Sequence, residues 1–538
     1  MKMNNIRKFG SLVLGASLFA LALTGCSDDT WDDHYDPSLP SGNKTLLQLV
    51  KENPELSDFY RVLQATHIFR NSNKTSVTYA DLLDQDQTLT LWAPKNGQFD
   101  VEALLEQCQT AKGDSVVGRH FVMNHLSRTL YSMGPSSYDE VLLLNDKKEQ
   151  LTPTSLKGVE LSSTSNVRAK NGLLHVLDGE VDYSYTVYEA LTSIPEYAHI
   201  GDFLMKYNRM RLNEDASVKS DVVEGHQTYS DSVLYLDNTL FYSLGRIDVE
   251  DSLFTALVPT REAWTRHYEE ALGYFNFSGV EKSDSIQRYW VNMSMMQDLF
   301  YNNRLQHLSD SAFSTSYSKG DPLYHVFYKP LDEDGIMSST YVVDERECSN
   351  GVCLNLNDWP FTPEQTYFKP IKVEAEYESN RTTIKNAPGE FRATNADSIS
   401  GSGYLRLNNT SSDWECTFKI PNTLAGTYDV CAVCLPKTVY QATSRDKKPN
   451  KFKAVVTYVD ENGVERTKDF STPVTNDGVS VDTVKIGTIT LPTCNYAQPT
   501  STVFVNLQCK VSKTEQTKYS RDMYLDCIYF RPNNKNEE

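Results

Sequence analysis

Beyond its first 25 residues the chain contains no apolar run long enough to cross a bilayer as a helix, so no further membrane span is expected. It also lacks the Gly-x-Ser-x-Gly elbow, the His-Glu-x-x-His helix and the glycine-rich phosphate loop, which removes common hydrolase, zinc-peptidase and nucleotide-binding classes. Asp332-Glu333-Asp334-Gly335 lacks the remaining spaced ligands of a calcium-binding helix loop. The 10 histidines are scattered, none beside an evident nucleophile. Positive charge is scarce: 52 Lys and Arg stand against 71 Asp and Glu, and the net charge of −19 argues against nucleic acid as a partner. Long Pro/Gly linkers are missing too, so the domains should abut. A chain of 538 residues exceeds one core, and about three domains are expected.

What is present begins at the N-terminus. Lys2, Arg7 and Lys8 precede the uncharged apolar stretch Leu12 to Leu23, which is too short to span and reads as a signal peptide over residues 1–25. Leu23-Thr24-Gly25-Cys26 resembles a bacterial lipobox, which implies cleavage before Cys26 and acyl chains on its thiol as a membrane anchor. Removal of that segment takes the net charge from −19 to −22. Residues 26–42 form an acidic tether, and Ser27-Asp28-Asp29-Thr30-Trp31-Asp32-Asp33 is similar to the signal that sends lipoproteins to the cell surface in one Gram-negative phylum. The expected location is the outer membrane, lipid-anchored and surface-exposed.

An internal repeat organises the next stretch. Thr45 to Pro54 matches Thr186 to Pro195, Leu91-Trp92-Ala93-Pro94 with Phe99 matches Ala256-Leu257-Val258-Pro259 with Trp264, and Asn171 to Asp178 matches Asn350 to Asn357. The offset grows from 141 residues at Pro54/Pro195 to 165 at Pro94/Pro259 and 179 at Asn171/Asn350, so the second copy carries insertions. Leu56, Phe59, Tyr60 and Leu63 have helical spacing, as do Ile200, Phe203, Leu204 and Tyr207. Asn53 before Pro54 reads as a helix cap. Proline after an apolar run ends a strand, and Asn-Gly before one is a turn that opens a strand. This pattern resembles the fasciclin-like adhesion domain, with copies at 43–184 and 185–369. The resemblance implies α+β wedges and places Asn124-His125 where that family carries a Tyr-His pair implicated in adhesion.

From about residue 370 the texture is all-β. Lys453 to Val459 turning at Asn462-Gly463, and Val503 to Leu507, alternate with period two, so 370–538 reads as a sandwich. Val373-Glu374-Ala375-Glu376, Gly401 to Leu407, Trp414 to Pro421, Ala425 to Tyr428 and Tyr524 to Phe530 resemble, in order, the strands of galactose-binding-like, jelly-roll carbohydrate-binding modules. That resemblance implies Tyr404 and Trp414 as a sugar-stacking platform, and Glu374 and Glu376 as ligands for calcium, a hard ion that takes oxygen donors. The equally physical alternative makes them core aromatics and edge carboxylates.

Ten Cys, one of them lipidated, leave an odd count. Cys348 and Cys353 flank Asn350-Gly351, where a hairpin could join them as a disulfide. Cys431 and Cys434 sit three apart on an expected strand without a nearby His, which favours packing over metal. Taken together, the expected fold is multidomain: two α+β fasciclin-like domains, then an all-β jelly-roll sandwich. The expected function is non-enzymatic adhesion or glycan binding, and the resemblances imply a TonB-dependent transporter and its lipoprotein lid as partners. A protein-directed adhesin is the alternative, and an enzyme with an unrecognised site a further one.

Overall fold

The computed structural model describes residues 42–134, 140–223, 225–302, 341–394, 399–408 and 411–533. Cys26 and the acidic segment that follows it lie outside the described residues. The chain forms two compact units, 1–183 and 184–538. Among the described residues no helix is long and apolar enough to cross a membrane.

In the first unit, Thr45 opens the helix Leu46–Glu52 through a reciprocal cap with Gln48. Asn53 accepts from the Glu55 amide, and Pro54 begins a tight turn that runs into the helix Ser57–Ala65. Leu56, Phe59 and Leu63 are fully buried, and Tyr60 is half-buried beside them. They pack with Leu89, Leu91, Leu174 and Val176 of a four-stranded sheet ordered Leu126–Ser127, Leu89–Pro94, Gly172–Leu177, Val167–Ala169. Its two central strands are parallel, with every residue buried, because both faces are covered.

The Asn-Gly motif ties helix to sheet. Asn171 Oδ1 accepts from Leu46 N at 2.8 Å, and its amide donates to Leu83 O at 2.9 Å and Gln85 O at 2.6 Å. Gly172, at φ +153°, passes so close to the Leu89 carbonyl that no Cβ fits.

The second unit begins with the same construction. Phe300–Asn302, Phe254–Pro259, Gly351–Leu356 and Val342–Cys348 lie in that order around a parallel central pair. Asn350 Oδ1 accepts from Val187 N at 2.8 Å, and its amide donates to Ile247 O and Val249 O at 3.0 and 2.9 Å. Two α+β bodies of one topology result. A short hairpin in the first (His67–Arg70, Asn73–Thr78) contrasts with a longer ribbon in the second (Asn208–Leu212, Leu234–Asn238), which bears a nested hairpin and takes up the insertion before Pro259.

Residues 371–532 form a β-sandwich of two six-stranded sheets. One runs Gly389–Ala393, Gly403–Leu407, Met523–Pro532, Gly426–Cys434, Asp482–Leu491, with Ile371–Glu374 also paired to Met523–Pro532. The other runs Arg381–Lys385, Glu415–Ile420, Val503–Cys509, Lys451–Val459, Glu465–Asp469, with Val474–Thr475 beside Lys451–Val459. Alternate residues such as Leu405, Phe418, Val430, Val456 and Leu507 fill the space between the sheets. This interior is continuous with the core of the preceding α+β body through a seam of rings. Tyr274 lies 4.7 Å from Phe368, Phe368 lies 4.9 Å from Tyr428, and Trp290 lies 4.8 Å from Tyr496. Ala425 N donates to Tyr274 O at 2.8 Å, and Cys494 N donates to Asn276 O at 2.6 Å.

Candidate glycan groove and cation site

The strand Met523–Pro532 carries two neighbours end to end along one edge. Gly403–Leu407 pairs with Met523 to Leu525, and Ile371–Glu374 pairs with Cys527 to Phe530, which leaves Asp526 at the junction. On the other edge the register shifts, Val433 facing Cys527 and Cys434 facing Leu525. A bulge of this kind inserts one residue and re-aims its side chain. Asp526 therefore turns outward, toward the point where Glu374 and Glu376 leave their strand and the segment Ser400–Ser402 enters the next.

Three carboxylates meet there. Ser400 Oγ lies 2.8 Å from Glu374 Oε2 and 3.0 Å from Asp526 Oδ2, and Ser400 N donates to Asp526 Oδ1 at 3.1 Å. Ser402 N donates to Glu376 Oε1 at 3.2 Å. One serine hydroxyl has one proton, so it cannot satisfy both carboxylates at once. Glu376 and Asp526 are each 3% exposed, and Glu376 Oε2 is buried with no hydrogen-bond partner. Burial, with mutual repulsion added, raises the pKa of Glu374 and Glu376. Burial likewise raises that of Asp526. Gly401 crosses this cluster at φ +65°, where a side chain would strike the Glu376 carboxylate. Ligand atoms of Glu374, Asp526 and Cys527 lie within 4.8 Å of one another, and the two carboxylates, with their unrelieved negative charge, fit a hard divalent cation such as calcium. Cys527 lies in the same cluster, yet burial pushes its thiol up to about 12, so it stays a neutral thiol.

Beside the cluster, on the outer face of the sheet, lies an open groove of about 430 Å³ lined by Lys372, Ile399, Ser400, Val433, Val481, Thr483, Asp526, Cys527 and Tyr529. The same face continues into a cationic aromatic patch. The Arg406 guanidinium sits 4.2 Å from the Tyr440 ring centre and Arg392 sits 5.2 Å away, while Arg406 is held by Asp522 and Glu390 at 3.2 and 3.3 Å. Tyr440 is 40% exposed and stacks on Tyr524 at 5.8 Å.

The expected site residues fare unequally. Glu374 lies with Asp526 and Cys527, whereas Glu376 holds Ser402 N beside them and is not among the ligand atoms that gather within 4.8 Å. Trp414 is 1% exposed, and its indole donates to Arg521 O at 2.7 Å. Tyr404 is 3% exposed, packed edge-on against Tyr524. Neither can stack on a sugar: Trp414 belongs to the interior between the sheets, and Tyr404 lies beneath neighbouring side chains on the outer face. Tyr440 is an accessible ring, as are Tyr377 and Phe391 elsewhere in the sandwich. Asn124 and His125 are fully buried, Asn124 donating to Val181 O and His125 accepting from Val181 N, so neither offers an adhesion contact. Cys348 and Cys353 come together as thiols, with their Sγ atoms 3.8 Å apart.

No family model matches the sequence, and no curated protein matches it. Parts of some solved structures resemble part of the chain. A Podospora anserina β-(1,4)-mannanase with a family 35 carbohydrate-binding module is 15% identical at a TM-score of 0.19, over 31% of this chain and 29% of that one. A family 22 xylan-binding domain from Paenibacillus barcinonensis is 11% identical at 0.21, over 31% and 93%. A C-terminal family 22 carbohydrate-binding module from Clostridium thermocellum is 14% identical at 0.18, over 30% and 92%. The match thus spans less than a third of the mannanase. At such scores the sandwich assignment rests on the chain's own strand order.

Proposed function

We propose that the chain is a non-enzymatic, glycan-binding lipoprotein, anchored at the outer membrane by acyl chains on Cys26 and displayed on the cell surface. In this reading it serves a TonB-dependent transporter and its lipoprotein lid. The observation that carries the glycan reading is the open groove with its adjoining Tyr440 patch. A polysaccharide presents apolar ring faces and a dense array of hydroxyls. Ile399, Val433 and Val481 match the former, Lys372, Ser400, Thr483 and Asp526 match the latter, and Tyr440 offers a ring for stacking. An open groove admits a polymer that an enclosed cavity would reject.

Glu374 and Asp526 would hold a calcium ion, whose charge would offset their repulsion and fix the loop that crosses them. The Ser400 hydroxyl occupies the space between Glu374 and Asp526, where a glycosidase would seat its scissile bond, and this supports binding without hydrolysis. Affinity electrophoresis of the mature chain through gels containing individual polysaccharides tests the proposal. Retardation by at least one glycan, lost in Tyr440→Ala, is expected. Free migration through every gel would refute glycan binding, and release of reducing sugar would refute the non-enzymatic reading. Cys26→Ala should move the protein out of the membrane fraction.

A further inference from the structure

The ribbon that distinguishes the second α+β body has an open edge. Its strands Asn208–Leu212 and Leu234–Asn238 pair in regular antiparallel register, and Asn213 N donates to Val233 O at 2.8 Å just beyond their end. Alternation along such a ladder turns the amides and carbonyls of Asn208, Met210 and Leu212 away from the facing strand, and among the described residues no group pairs with them. The base of the ribbon is fixed, because Tyr188 Oη donates to Asn208 Oδ1 and Asn238 Nδ2 donates to Leu204 O, both at 2.7 Å. Met210 and Leu236 lie opposite one another, each 47% exposed, with Leu212 and Leu234 on the same face. Two strands alone are marginal in water, and a third strand that covers apolar surface stabilises them.

The first body shows what such an edge takes. The 141-residue offset that relates Pro54 to Pro195 carries His67 to Asn208, and each residue opens its strand. His67 N donates to Asp114 Oδ1 at 2.8 Å, and the other oxygen of that buried carboxylate lies 3.0 Å from His67 Nδ1 and 2.6 Å from Lys74 Nζ. An acid from the helix Ala111–Val117 thus closes the edge of the first hairpin. The second ribbon has the basic side chains without that acid. Residues 206–213 carry Lys206, Arg209 and Arg211 and no negative residue, in a chain of net charge −19. Arg211 Nε is paired with Asp237 Oδ2 at 2.7 Å, whereas Arg209 has no ion pair among the described residues. Charge alone can guard an edge against pairing, yet a guarded edge does not leave apolar side chains bare beside it.

We infer that the edge Asn208–Leu212 docks an extended segment of a partner protein that alternates acidic and apolar residues, added as a third strand. The backbone of that segment takes up the free groups of Asn208, Met210 and Leu212. Its acids lie beside Arg209 and Arg211, and its apolar side chains continue the face formed by Met210 and Leu236. A second copy does not fit, since antiparallel pairing about Met210 would set Arg209 of each copy against Arg211 of the other. No residue of the sandwich takes part, so this docking is independent of glycan binding.

The test uses the full mature chain and a fluorescent synthetic peptide alternating Glu and Val, read by anisotropy, with a Lys/Val peptide as control. The Glu/Val peptide should bind and the Lys/Val peptide should not. Arg209→Glu should weaken binding by about tenfold, and raised salt should weaken it as well. Met210→Pro removes an outward amide that the ribbon's own ladder does not use, so it should abolish binding while the thermal midpoint holds. If Met210→Pro lowers that midpoint, Arg209→Glu alone carries the test. No binding of the Glu/Val peptide, equal binding of the Lys/Val peptide, or unchanged affinity in Arg209→Glu would overturn the inference. So would a concentration-dependent dimer in sedimentation that Met210→Pro dissolves, because the edge would then belong to a second copy.

Discussion

Acidification should loosen the first unit, and two histidines set how far. His125 Nε2 accepts from Val181 N at 3.1 Å, so its proton is on Nδ1, which donates to Phe121 O at 2.7 Å. His175 is the mirror case: Nδ1 accepts from Asn166 N at 3.2 Å and Nε2 donates to Tyr131 O at 2.9 Å. Each ring is fully buried, neutral and satisfied at both nitrogens, and protonation would turn an acceptor into a donor facing an N–H. Burial pushes both pKa values down to about 4, partly offset by the bonds to carbonyls. Unfolded histidine titrates near 6.5. Between those values the unfolded state binds more protons, so stability is complete above pH ~6.5 and is lost as pH falls toward ~4. At pH 5 the linkage integral gives about 2 kcal/mol for each ring and about 4 kcal/mol for both, a large fraction of a typical domain's stability. Hydrogen exchange of the strands Leu89–Pro94 and Gly172–Leu177, corrected for intrinsic rates, measures it at pH 7.5 and 5. His125→Gln, which keeps a donor and an acceptor, should roughly halve the pH effect. An opening free energy that moves by less than about 1 kcal/mol between the two pH values would refute the argument.

Other outcomes follow from single contacts. Trp414→Ala should cost about 3–5 kcal/mol in chemical denaturation by leaving a void between the sheets, whereas Tyr440→Ala should leave the midpoint unchanged; equal effects would contradict the assigned burial. Asn171→Ala should destabilise the first unit by about 3 kcal/mol, since Leu46 N, Leu83 O and Gln85 O lose their partner, and Asn171→Asp should not rescue it because a carboxylate cannot donate to two carbonyls. Under a mild thiol oxidant Cys348 and Cys353 should be the first pair to couple, two thiols giving one disulfide as the oxidant takes up two electrons and two protons; peptide mapping that finds another pair first would exclude this.

Much of the fold was legible because the motifs that announce it act locally. The Asn171 and Asn350 turns, the prolines that end Leu89–Pro94 and Phe254–Pro259, and the Asn53 cap before Pro54 each fix a strand or helix end with residues close in sequence. The period-two runs after residue 370 likewise announced the sandwich, whose two sheets bear it out. The site was less legible, because it depends on which strands become neighbours. Trp414 and Tyr404 read as an exposed platform only while the face each side chain takes is unknown, and Tyr440, in an irregular segment, carries no periodic signal. Asp526 was hidden for a different reason: a bulge shifts the register at one residue, and strict alternation cannot foresee it.

The seam of rings between Tyr274, Phe368 and Tyr428 also has a mechanical meaning. A pull on the sandwich is not taken up by a slack linker, since Ala425 and Cys494 are hydrogen-bonded directly to Tyr274 and Asn276 and the rings behind them interlock. Load entering at the sandwich passes into the helices and sheet of residues 185–369 as into one stiff block, and in a force-extension trace the two should give way together, in a single rupture.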